Sequence, residues 1–154
     1  MIDTAIVRRV IELARFRENA YRTYMNTHFP NDPTIDLGAD HHLDSKEFQQ
    51  YNKYDRELIH YLLELNYENV LDLEALMFLG RGDDSSFSAA RDYLAETYPS
   101  SEGKGIAVDY LSSKGPLADY LESGLELLWF PVFTVSHGGT VIFYSFLKNG
   151  FTHP

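Results

Sequence analysis

The feature that most limits what this chain can fold into is a series of apolar residues at helical spacing, broken at intervals by residues that start and stop helices. From Thr4 to Met25, the residues Ile6, Val10, Leu13, Ala14, Phe16, Ala20, Tyr21 and Tyr24 recur at that spacing, and Asp3 stands where a side chain can cap the first free amides. One long amphipathic helix is predicted. Residues 27–45 hold two prolines, a glycine and no sustained period, which predicts a loop ending at Ser45 as an N-cap. Phe48, Tyr51, Leu58, Tyr61, Leu62 and Leu65 mark a second helix, and Asn66 is placed to cap a third containing Val70, Leu73, Met77 and Phe78.

The stretch Leu79 to Ser86, LGRGDDSS, reads as a junction between helices. Gly80 or Gly82 would supply the left-handed residue that ends one helix, and Asp84, Ser85 or Ser86 would cap the next. Ala89, Ala90, Tyr93 and Leu94 give that next helix its buried face, and Pro99 ends it. Ser100 or Ser101 starts a short helix through Ile106, Tyr110 and Leu111, and Gly115-Pro116 is a stop followed by a restart. The last helix runs through Leu117, Tyr120, Leu121, Leu125 and Leu128.

After Trp129 the composition shifts to Val, Phe, Thr, Ile and Tyr, with His137-Gly138-Gly139 between two β-prone runs, which predicts a β-hairpin. Such a hairpin needs cover, from the helical body or from a second copy of the chain. Phe133, Val135, Ile142, Phe143 and Phe146 are then the candidate dimer contact. The run from Leu127 to Leu147 is long enough to span a bilayer, but Pro131, His137 and the Gly-Gly pair argue against a membrane helix. The expected class is therefore mainly α: a small helical bundle over residues 1–128 with a C-terminal β-hairpin tail over 129–154.

Charge narrows the function classes. A formal charge of −10 disfavours a sequence-independent grip on nucleic acid, which requires clustered Lys and Arg. The absence of cysteine excludes thiolate chemistry, disulfides and cysteine metal sites, and no signal-peptide pattern is present, so a cytoplasmic protein is expected. The first 25 residues carry five arginines against three acids, whereas the remainder carries 8 basic and 20 acidic residues. A basic helix is thus joined to an acidic body, and pairing of the two, within one chain or across a dimer, is the expectation.

Leu79-Gly80-Arg81-Gly82-Asp83, the Tyr110-Leu111 pair and the segment from Pro116 to Leu125 together resemble an uncharacterised bacterial family of small helical proteins. The resemblance spans roughly residues 58–128 and implies a helical domain, with no known activity. The arginine-rich first helix matches that pattern only loosely, and the tail lies outside it.

No motif assembles a catalytic constellation. Arg81-Gly82-Asp83 matches the adhesion tripeptide, but a structural role is expected instead, with Arg81 reaching back to Glu74 or Asp72, or Asp83 and Asp84 at the next helix start. Glu57 and His60 have the spacing used in di-iron bundles, which require a second such pair on another helix, and the sequence has none. Asp40, His41, His42 and Asp44 could ligate a metal, yet no matching Cys or His set stands elsewhere, so a solvated loop is expected. Asp32, Asp36, Asp40 and Asp44 recur every fourth residue, the wrong spacing for a calcium loop. Gly103-Lys104-Gly105 lacks the rest of a phosphate loop, and Ser136 and His137 would point to opposite faces of a strand.

What remains is negative charge on short helices and eleven tyrosines, a residue common at protein interfaces. The expected function is a non-enzymatic, homodimeric acidic module, without metal or cofactor, that occupies a basic, nucleic-acid-type surface of a partner protein, as anti-CRISPR inhibitors do. An adaptor or regulator of the resembling family, or a small metal-dependent or hydrolytic enzyme, are the alternatives. The candidate contact residues are Glu64, Glu68, Asp72, Glu74, Asp83, Asp84, Asp92 and Glu96.

Overall fold

The computed structural model describes residues 2–30, 42–129, 135–137 and 140–142. The first four helices each begin at a short polar side chain that accepts a hydrogen bond from a free backbone amide. Helix α1 is Thr4–His28, and the Asp3 carboxylate accepts from the amides of Ala5 at 2.9 Å and Ile6 at 3.4 Å. Ser45 caps α2, Lys46–Glu64, by accepting from Phe48 at 3.1 Å, and Asn66 caps α3, Tyr67–Arg81, by accepting from Asn69 at 2.8 Å. Ser86 does the same for α4, Phe87–Thr97, through the Ala89 amide at 3.1 Å. A 3-10 turn, Ser101–Gly103, leads into α5, Lys104–Ser112, and after Gly115-Pro116 comes α6, Leu117–Trp129.

The LGRGDDSS junction forms as expected, and the structure separates the roles of its two glycines. Gly82 lies in the left-handed region at φ 82°, and its amide reaches the Leu79 and Phe78 carbonyls while that of Asp83 closes on Phe78 at 3.0 Å. This is the six-to-one closure that satisfies the last carbonyls of α3. Gly80 is instead a packing residue inside α3. A Cβ there would stand 1.8 Å from the Tyr120 carbonyl oxygen, and one on Gly124 would stand 2.3 Å from that of Leu76. Two glycines facing each other across the crossing let the backbones of α3 and α6 touch.

That contact makes α3 the centre of the bundle. It packs on α4, α5 and α6, while α1 lies along α2 and leans on α6. Val70, Leu71, Leu73, Ala75, Leu76, Met77 and Leu79 are all buried, so α3 meets solvent freely only at its ends, through Glu68 and Arg81, whereas α1 buries one stripe through Val7, Val10, Leu13, Ala14 and Ala20. One continuous core joins them, Leu79 and Ala20 excepted, to Leu58, Leu62, Leu94, Val108, Leu111, Leu117 and Leu121.

The expected fold class is corrected in one respect. The helical bundle is present, with six helices, but a C-terminal β-hairpin as a structural part of the fold is not. Beyond Trp129 the described backbone amounts to Val135–His137 and Thr140–Ile142, which pair only with each other, Val135 opposite Ile142. A ladder of three residues a side supplies neither a layer nor a cover, and the β propensity of Val, Phe and Ile takes effect only where a sheet exists to pack against. Of the proposed dimer contact, Phe133, Phe143 and Phe146 lie outside the described residues, as do the side chains of Val135 and Ile142. No helix among the described residues is long and apolar enough to cross a membrane.

Candidate functional site

The eight acids expected to form one surface are divided by the fold. Glu74 is not on a surface at all: it faces inward from α3 at 1% exposure. Glu68 and Asp72, one turn apart on α3, both hold Arg91 of α4, Asp72 at 2.7 Å from its Nε. Arg91 is thus an interhelical tie shared by the two acids, and the cluster keeps a net charge of −1. Asp83 is 3.1 Å from Arg81, and Glu64 lies 3.6 Å from His60 at the far end of α2. Asp84, Asp92 and Glu96 remain, and no cation is within ion-pair distance of them among the described residues.

Asp92 and Glu96 are spaced i, i+4, so they share the outer face of α4. Tyr93, beside them, is 56% exposed, with its ring 6.4 Å from that of Phe78. Tyr93 thus meets solvent beside two acids that have no cationic partner among the described residues. Arg81, expected to reach Glu74 or Asp72, turns the other way: it pairs with Asp83, receives support from the Tyr120 ring and donates to the Tyr110 hydroxyl at 3.0 Å. The bond to Tyr110 comes first among the causes that raise its pKa.

The basic helix finds its acids within the chain. Arg15 lies 2.6 Å from Asp119 and 2.7 Å from Glu122 on α6, Arg9 pairs with Glu12, and Arg22 with Glu18 at 2.9 Å. Arg17 is buried. Its guanidinium donates to the Ser112 and Lys114 carbonyls at the end of α5 and sits 3.5 Å from Asp55. A cation at a helix C-terminus is favoured there, and these bonds fasten α1 to α2 and to the α5–α6 turn.

Arg17 forms the floor of a groove of about 980 Å³ between α1, α2 and that turn, with Tyr21, Arg22, Met25, Tyr51 and Ile59 among its walls. Burial raises the pKa of Tyr51 there. Because the floor arginine is already held by carbonyls and Asp55, the groove lacks a free buried cation for an anionic ligand. Glu57 and His60 are well exposed on α2 beside Arg9 and Arg56, and their nearest charged contacts are Lys53 and Glu64. They do not face each other across a site. No group of three or more His, Asp or Glu among the described residues is arranged to hold a metal. Asp32, Asp36, Asp40 and His41 lie outside the described residues.

Glu74 is the residue whose environment sequence reasoning misjudged. Its Oε2 is buried without a hydrogen-bond partner, and burial raises the carboxyl pKa from 4.5 to about 7, with Lys114 opposing weakly. Desolvation of the charged form is the cause. Apolar residues on every side of position 74, at 70, 71, 73 and 75–79 with only Asp72 between them, were the available signal, since a glutamate among them has no wet side to face.

Residues 55–128 match the sequence model of a family described as "Protein of unknown function (DUF3775)". This bears out the resemblance to an uncharacterised domain family, and the matched segment runs from the second half of α2 through α6. Neither a curated protein nor a solved structure matches the chain.

Proposed function

We propose that this chain, whose α2–α6 portion carries the pattern of a family without assigned activity, is a non-enzymatic protein-binding module that uses the outer face of α4 and the turn before it. The observation that carries this reading is the pair of exposed acids Asp92 and Glu96 beside half-exposed Tyr93, with half-buried Asp84 in the preceding turn, none of these acids within ion-pair distance of a cation among the described residues. Tyrosine among charges is the composition of a contact surface, and uncompensated acids favour a partner with a basic surface of the kind that receives nucleic acid. Inhibition by occupying that surface is the regulatory form of the proposal.

The test is affinity capture from bacterial lysate at low and high salt with three baits: wild type, Asp92→Lys/Glu96→Lys, and Glu126→Lys as a charge control on α6. A partner retained by wild type and control, released by salt and lost from the α4 variant supports the proposal. Equal retention by the α4 variant removes α4 as the contact surface.

A further inference from the structure

The histidine of the aspartate- and histidine-containing loop does have a counterpart, fourteen residues upstream and invisible to spacing rules. His28 is the last residue of α1, and His42 stands three residues before the cap of α2. Their Nδ1 atoms are 3.1 Å apart, with ring centroids 4.8 Å apart and planes tilted by 59°. On its other side, His28 Nε2 lies 3.2 Å from Glu47 Oε2. The Glu47 carboxylate, which can only accept a hydrogen bond when charged, faces that nitrogen. It therefore takes the Nε2 proton as a hydrogen bond and leaves the Nδ1 lone pair of His28 pointing at His42.

We propose that His28 and His42 form a two-nitrogen site for a divalent first-row transition ion, with Glu47 as the outer carboxylate that orients His28. With metal–nitrogen bonds of about 2.0–2.1 Å, nitrogens 3.1 Å apart subtend an angle of about 100° at a shared ion, close to the tetrahedral value and within reach of a square or octahedral one. A carboxylate on the far nitrogen of a ligating histidine is the arrangement that fixes its tautomer and raises its basicity. Both ligands are held in advance. The His42 carbonyl accepts from the Ser45 hydroxyl at 2.7 Å and from its amide at 3.2 Å, while Tyr24 packs on the His28 ring at 5.3 Å and Phe29 on the His42 ring at 5.0 Å. Without metal, His42 Nδ1–H donates to His28. With metal, His42 carries its proton on Nε2 instead and both lone pairs face the ion, which ties the end of α1 to the start of α2.

Calorimetric titration of the full chain with Zn²⁺ tests this. Wild type binds one equivalent that is absent from His28→Gln and His42→Gln, and Glu47→Gln binds at least about tenfold more weakly. Metal-free circular dichroism confirms that the variants fold. If they do not, imidazole ¹⁵N spectra of the wild type decide, with two Nδ1 resonances moving together on addition of Zn²⁺. Undiminished binding by both histidine variants, no binding by wild type, or Nδ1 resonances that stay in place would overturn the site.

Discussion

Helices α1 and α3 solve opposite problems with the same backbone. α1 is a surface helix: one buried stripe, charges on its other sides, and three of its five arginines matched to an acid on its own helix or on α6. α3 is enclosed by α4, α5 and α6, buries eight of its fifteen residues and keeps even a glutamate out of water. The surface helix tolerates variation in what it shows to solvent, whereas the central helix must match its neighbours atom by atom. That contrast coincides with the family match, which covers α3 and leaves α1 outside.

The sharpest way to break the comparison is at the α3–α6 crossing. Gly80→Ala would place a methyl carbon 1.8 Å from a backbone oxygen, so the helices must separate, and a loss on the order of 4 kcal/mol or failure to fold is expected. Gly82→Ala, two residues away with nothing within 4 Å of the added carbon, should cost only about 1 kcal/mol for its left-handed conformation. Urea unfolding of both variants checks the pair, and equal losses would refute the close crossing.

On the α1 side the largest effect belongs to Arg17. Replacing it by methionine keeps much of the stem but leaves the end of α5 and Asp55 without their cation, for an expected loss of about 3 kcal/mol. Arg22→Met, on the exposed side of the same helix, should shift stability by less than about 0.5 kcal/mol. Similar losses for the two would mean that α1 is not anchored through its buried guanidinium.

Glu74 sharpens the comparison through pH. Its folded pKa of about 7 lies above the unfolded 4.5, so its contribution to stability is fully present below about pH 4.5 and is lost as pH rises through 7. Glu74→Gln removes that loss, and the variant should gain up to about 3 kcal/mol over wild type at pH 8 relative to their difference at pH 4.5. Denaturant melts at the two pH values read this directly; a pH-independent difference would show that the carboxyl is not desolvated as the fold implies.

Much of the fold was legible in the sequence because helix limits are local. Asp3, Ser45, Asn66 and Ser86 act on amides two or three residues away, and Gly115-Pro116 on the backbone beside it. The tail misled because β propensity is a statement about a sheet that must be supplied from elsewhere. Of the acidic surface, only Asp84, Asp92 and Glu96 keep the character that the sequence suggested, since charge can be counted along a chain but its pairing cannot.

By itself, then, the sequence determined that this protein is a set of short, capped helices around one apolar core, and that a basic first helix would meet an acidic body. Only the tertiary structure decided which glycine turns the chain and which admits a neighbouring helix, that Arg91 pairs with Glu68 and Asp72, that Glu74 is enclosed, and that His28 meets His42. Capping and periodicity act over a few residues, whereas each of these outcomes depends on atoms many positions apart that come within reach only when the bundle closes.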